Sequence, residues 1–307
     1  MPGGAELEHP VSALAAIARV TKLADAKSVF LLPWQFSPTV VGGLVLAAAL
    51  YGRGARGMGL PASQRTAFYL GLLVIYCALQ TRWEYYASHM IFVLQLQHFA
   101  LHDVAPVLLA WSAPHSALAR GLPRRTSFMD ARYIYLRTHK LQRSVRAAAR
   151  VLLNPFIAVT VYVLALLVWL WPPLTFDVML NNGLYRLMSW SVLAGALPFW
   201  SLVLDARPWP LARLKPGHRL VMLHFAMLPI VLAGAALSLS ERNLYPVYAV
   251  CGRFLPIPPV SDQQLGGVVM WVLGAAIFAL VFFIVLGRNL EQEEAELSAR
   301  RLAGQSW

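Results

Sequence analysis

Residues 85–111 read YYASHMIFVLQLQHFALHDVAPVLLAW, an apolar stretch that carries Gln95, His98, His102 and Asp103 near its middle. A helix rises 1.5 Å per residue, so about 20 apolar residues cross the hydrocarbon core of a bilayer, and this stretch suffices. Residues seven apart on a helix fall about 20° from one another and residues four apart about 40°. Gln95, His98 and His102 therefore share one stripe. An Asp in mid-membrane costs about 2.5 to 3.5 kcal/mol on insertion scales. The stripe must face a bundle interior, a water-filled cavity or a metal rather than lipid.

The rest of the chain fits a membrane setting. Of 307 residues, 58% are hydrophobic and only 13% charged, and the apolar residues come in long runs rather than in alternation. That composition excludes an ordinary soluble domain. Seven stretches are candidate spans: 38–51, 66–79, 85–111, 155–171, 184–204, 220–239 and 265–286. The first is extended backward by Phe30, Leu31, Leu32 and Trp34, and the second closes on Trp83, Tyr85 and Tyr86. The expected fold is an all-α polytopic bundle of seven transmembrane helices.

A net charge of +12 suggests nucleic acid until the basic residues are placed. Three lie in 52–65, nine in 112–154, four in 205–219 and three from Arg288 onward, all between or after apolar runs. By the positive-inside rule these segments are cytoplasmic, which puts the N-terminus outside and the C-terminus inside. The expected layout is an extracytoplasmic segment 1–30, a seven-helix domain 31–287 and a cytoplasmic tail 288–307. The first segment shows no cleavable signal peptide; its Leu14, Ile17, Val20 and Leu23 suit either a short interfacial helix or a frayed end. Loop 112–154 carries Arg120, Arg124, Arg125, Arg132, Arg137, Lys140, Arg143, Arg146 and Arg150 against Asp130, a composition that attracts anionic lipid heads or a partner. Two outer loops, 171–182 and 241–263, are rich in proline and suit either a shaped lid or plain turns. Cys77 and Cys251 both fall near the outer half, and sequence does not decide whether they pair.

The histidines are the candidates for chemistry. Two His at i and i+4 reach one ion from a single helix, and imidazole suits copper and zinc. His98 and His102 meet that spacing. Further ligands are His89, toward the outer end of the same stretch, and His224, which shares a helical face with Met227. An imidazole with a thioether favours Cu(I). Three other readings stay open: interhelical hydrogen bonds, axial ligation of a haem, and a proton path through His and Asp103. Methionines such as Met188, Met222 and Met270 read as packing. No phosphate-cradling loop, paired-cysteine motif, HExxH or placed nucleophile is present, so the chain reads as a non-enzyme.

Several short motifs recur in a familiar order. They are Trp34 with Pro38; Tyr51-Gly52-Arg53-Gly54; Ser88-His89-Met90, then Gln97-His98 and Val104-Ala105-Pro106; Leu184-Tyr185-Arg186-Leu187-Met188; and Phe199-Trp200. Leu244-Tyr245-Pro246-Val247-Tyr248, Asp262-Gln263-Gln264-Leu265-Gly266-Gly267 and Met270-Trp271 complete the set. Together, from Trp34 to Leu286, they resemble the CtaG family of seven-span cytochrome c oxidase assembly factors. The resemblance implies a bacterial plasma-membrane protein that helps to build haem-copper oxidases through copper supply, with oxidase subunits as partners. It places the family's histidine-bearing third helix on His89, His98 and His102 and its acidic outer motif on Asp262 and Gln263. Where relatives carry a further histidine, this chain has Asp103. The expected path brings Cu(I) in near His89, Asp262 and Met270 and holds it at His98 and His102. A copper importer and a metal-free scaffold for oxidase subunits are the alternatives.

Overall fold

The computed structural model describes residues 36–122, 143, 147–207 and 211–304. Segment 1–30, Trp34 and most of the basic loop lie outside the described residues, among them Arg124, Arg125, Arg132, Arg137, Lys140 and Arg146. Every regular element among the described residues is a helix. In chain order these are α1 (Pro38–Ala55), α2 (Ala62–Gln80), α3 (Trp83–Ala87), α4 (Ile91–Trp111), α5 (His115–Gly121) and α6 (Pro155–Leu167). They continue as α7 (Pro172–Leu180), α8 (Asn182–Val203), α9 (Pro216–Leu239), α10 (Val247–Cys251) and α11. This last helix runs as Pro259–Val268, a π-helical turn at Val269–Leu273, and Gly274–Gly304.

Proline sets many of the starts. It opens α1, α6, α7, α9 and α11, where its missing N–H is one that a first helical turn leaves unpaired in any case. Two asparagines cap others: Asn154 Oδ1 accepts from Phe156 N at 3.0 Å, and Asn181 Oδ1 accepts from Gly183 N at 2.8 Å and Leu184 N at 3.2 Å.

Among the described residues, four helices are long and apolar enough to cross a membrane: α2, α4, α9 and Pro259–Ala295 of α11. The pair α6 and α7, bent by 68°, makes a fifth if it is one broken span. Helix α8 is not among them because of Asn182, Arg186 and its serines, yet half of its 22 residues are buried. Helix α4 is the centre of the bundle, with 67% of its spanning window buried against 28 to 33% for the other three.

Three boundaries differ from those expected. Loop 171–182 holds α7, which follows a break stabilised by Thr175 Oγ1 donating to the carbonyls of Trp169 (2.7 Å) and Trp171 (3.0 Å). The last long helix starts at Pro259, so Asp262 and Gln263 belong to its first turns instead of a loop. The stretch 85–111 is not one helix: α3 ends at Ala87, Met90 is extended (φ −148°, ψ 133°), and α4 begins at Ile91. Cys77 and Cys251 are free thiols.

One side chain explains the last two differences together. The Asp262 carboxylate, fully buried, accepts from Ile91 N at 3.2 Å and Phe92 N at 3.0 Å and pairs with the Arg253 guanidinium. It thus supplies from α11 the acceptors that the first turn of α4 lacks, and a negative charge at the positive end of the α4 dipole. Gln263 continues the clamp, accepting from Leu244 N at 2.8 Å and donating to Arg242 O at 3.1 Å. Asp262→Ala strands two amides and a guanidinium, and a loss of about 3 to 5 kcal/mol is expected from breaking a buried pair. Thermal unfolding in detergent should show a marked drop for Asp262→Ala and a smaller one for Asp262→Asn, which keeps an acceptor; equal midpoints for all three proteins would contradict the clamp.

Candidate functional site

Helix α4 changes register where its polar residues lie. Ile91–Phe99 is α-helical, Ala100–Val104 is a π turn in which Ala105 N bonds to Ala100 O, and Ala105–Trp111 is α-helical again. In an α register the N–H of residue 106 bonds the carbonyl of His102, but residue 106 is proline and has none. The Trp200 indole N–H of α8 takes that carbonyl instead, at 3.0 Å.

The His102 side chain is fixed as firmly. Its Nε2 lies 3.0 Å from the Tyr162 carbonyl of α6, and its ring lies against the Tyr162 ring with centroids 3.9 Å apart. A carbonyl only accepts, so Nε2 carries the proton in the neutral ring and Nδ1 keeps a free lone pair. That Nδ1 has no hydrogen-bond partner and stands 3.5 Å from Asp103 Oδ1. Asp103 in turn accepts from the Tyr162 hydroxyl at 2.5 Å. Tyr162 is backed by Phe199, ring centroids 4.2 Å apart.

His98, also buried, has neither ring nitrogen partnered. His98 and His102 line one small cavity with Gln95, Phe99, Asp103, Leu166, Ile230 and Met270. It leaves about 10 Å³ free, room for a single water or ion. Met270 belongs to the π turn of α11, so the two π turns of the structure's described residues meet at this cavity. Such turns recur at functional sites because they re-aim side chains without ending the helix.

Of the four histidines read from sequence, the fold brings two together. His89 lies in the α3–α4 connection, where its Nδ1 is within 2.6 Å of Tyr85 O and 3.0 Å of Ser88 Oγ. His224 is exposed on the outside of α9. No group of three or more His, Cys, Asp or Glu residues suited to a metal occurs among the described residues. Asp262, expected at an acidic entrance, is consumed by the α4 clamp, and Met270, expected beside it, lies with His98 and His102. Tyr162 goes unmentioned in the sequence reading, and Trp200 enters it only within the Phe199-Trp200 motif, with no role of its own. Tyr162 had a signal, as the one tyrosine in the otherwise apolar run PFIAVTVYVLALL.

Among the described residues, a helical bundle with several membrane-length apolar helices defines a polytopic membrane protein, and a small cavity lined by two buried histidines lies within it. The particular family follows from comparison: the model for the cytochrome c oxidase caa3 assembly factor family (Caa3_CtaG) matches residues 44–292, and the chain belongs to that family. No curated protein and no solved structure matches the chain.

Tyr162→Phe isolates one bond of the site, because the stacked ring and the backbone carbonyl both remain. Loss of the hydroxyl that donates to Asp103 Oδ1 should cost about 1 to 3 kcal/mol. The check is the thermal unfolding midpoint, and an unchanged value would mean that the hydroxyl does not hold Asp103.

Proposed function

We propose that the protein assists assembly of a haem-copper oxidase by holding Cu(I) as cargo at His98, His102 and Met270 and passing it to an oxidase subunit. The observation that carries this reading is the meeting of unpartnered imidazole nitrogens from His98 and His102 with a thioether at a cavity of single-ion size. Imidazole and thioether donors together suit Cu(I). The Nε2 contact of His102 to Tyr162 O is the outer-shell bond that orients a histidine ligand and fixes its tautomer. A porphyrin needs far more room than this cavity offers, which favours an ion over haem. Membership of an assembly-factor family supports a non-catalytic role with oxidase subunits as partners.

The same reading has seven spans, formed by α1, α2, α4, α6 with α7, α8, α9 and α11. Its basic connections lie on the cytoplasmic side of a bacterial plasma membrane, with the N-terminus outside and the C-terminus inside. The exposed Arg53, Arg56, Arg65 and Arg120 at the α1–α2 connection and α5 support that orientation, as does Arg207 beyond α8. His89 and His224 take no part in holding the ion.

The test is elemental analysis of protein purified from copper-replete cells. Wild type should carry copper in stoichiometric amount, and the double variant His98→Ala/His102→Ala should lose it; wild-type copper in the double variant would rule the site out. Met270→Leu should remove the sulfur signature from the copper X-ray absorption spectrum and weaken retention. Because a protonated imidazole has no lone pair to donate, retained copper should fall as pH is lowered. Retention that is flat through the acid range would point to ligands other than histidine.

A further inference from the structure

Far from the histidine cavity, α1 and α5 cross with their backbones in contact. A Cβ on Gly54 would sit 1.7 Å from Ala117 O, and one on Gly121 would sit 1.9 Å from Leu50 O. Only glycine allows this approach. Two clefts open beside the crossing. One, of about 480 Å³, is lined by Tyr51, Arg56, Gly57, Gly59, Arg65 and Tyr69 among others. The other, of about 560 Å³, is lined by Arg53, Arg56, Ala119, Arg120 and Leu122 beside Gly54. Arg56 belongs to both.

These arginines have no acidic counterpart. Arg53, Arg56, Arg65 and Arg120 are exposed, and none forms an ion pair with a described residue. Between residues 36 and 122 the acids are Glu84, beyond the far end of α2, and Asp103, buried on α4. Concave surface lined by uncompensated guanidinium groups focuses positive potential, and the guanidinium fork matches phosphate oxygens two at a time. Four arginines thus stand in two adjoining clefts with no carboxylate paired to any of them among the described residues.

Depth supplies the second observation. Val45 and Leu46 of α1 and Leu70 and Leu73 of α2 are exposed apolar residues on membrane-length or near-membrane-length helices. At 1.5 Å per residue Arg53 lies about 10 Å beyond Leu46, and Arg65 about 7 Å beyond Leu70. That is the distance from acyl chains to headgroups. Tyr69, 44% exposed and edge-on to Tyr51 with centroids 5.9 Å apart, is an amphipathic ring at the level where such rings collect. Positive φ at Gly57 (77°) and Gly59 (63°) lets the connection turn tightly along the edge of the first cleft.

We propose that the two clefts sharing Arg56 form a binding site for phosphate at headgroup depth, filled by the headgroup of an anionic phospholipid. The proposal is independent of the copper reading and of which leaflet the clefts face.

The full-length protein in detergent is titrated with phosphatidylglycerol, with cardiolipin, with phosphatidylcholine and with inorganic phosphate, and the rise in unfolding midpoint is recorded. The anionic lipids should stabilise it well below the concentration at which phosphatidylcholine acts, and less so as salt is raised. In the quadruple variant Arg53→Gln/Arg56→Gln/Arg65→Gln/Arg120→Gln, affinity for them should fall on the order of 100-fold. A control with Arg150, Arg213 and Arg301 changed to Gln should keep it. The single variant Arg56→Gln, which touches both clefts, serves if the quadruple variant does not fold, and should show a lesser loss. Equal stabilisation by inorganic phosphate, lost in the same variants, supports the phosphate site with a soluble anion as its source. Stabilisation that does not distinguish anionic from zwitterionic lipid, or that survives in Arg56→Gln and the quadruple variant alike, overturns the proposal.

Discussion

The bond between the Asp262 carboxylate and the first amides of α4 is the constraint from which the rest of the architecture follows. Helix α4 is the most enclosed long helix of the bundle, and the first turn of any helix leaves N–H groups without intrahelical partners. In an enclosed position water cannot supply them, so a buried acceptor must. Asp262 is that acceptor, and its own charge is matched by Arg253. The arrangement fixes where α4 begins, and so how far down the helix His98 and His102 fall. It also fixes α11 against α4, which brings Met270 level with the two imidazoles.

The lower part of α4 shows the same rule at work on a carbonyl. Proline at position 106 removes an amide from the interior of a helix, and the His102 carbonyl is satisfied across the bundle by Trp200. Tyr162 adds a carbonyl beneath the His102 ring, a stacked ring against it and a hydroxyl to Asp103. Two helices, α6 and α8, therefore hold one histidine of α4 at three points, whereas His98, four residues away, has neither ring nitrogen partnered. The pair combines one imidazole fixed by hydrogen bonding and stacking with one that is held by neither.

Much of this was legible in the sequence wherever a single period governed the outcome. The run of residues 85–111 announces a buried helix, six residues longer at its start than the one that forms, and the spacing of Gln95, His98 and His102 announces one stripe, which the cavity unites. What escaped depended on contacts between distant segments. The break at Ser88–Met90 that leaves His89 outside α4 lies beside amides bonded by an aspartate more than 170 residues away. The exposure of His224 depends on which face of α9 its neighbours cover, and both faces of that helix are apolar enough to be inside. Met270, read as packing, is buried in the hydrophobic core; that it also borders the histidine cavity depends on a π turn, which leaves no mark in hydrophobic periodicity.

The substitution of an indole for an amide at the His102 carbonyl reaches into how such a sequence can vary. Pro106 and Trp200 sit on different helices and share no chemistry of their own, yet each makes the other tolerable: the proline leaves a buried oxygen, and the tryptophan occupies it. A chain that drifted to a non-proline residue at 106 would regain the backbone donor and release position 200 to become any ring of similar bulk. A chain that lost the tryptophan first would carry an orphaned carbonyl beside its histidines. Drift therefore has a permitted order, 106 before 200, and the two positions should change as a linked pair across related chains.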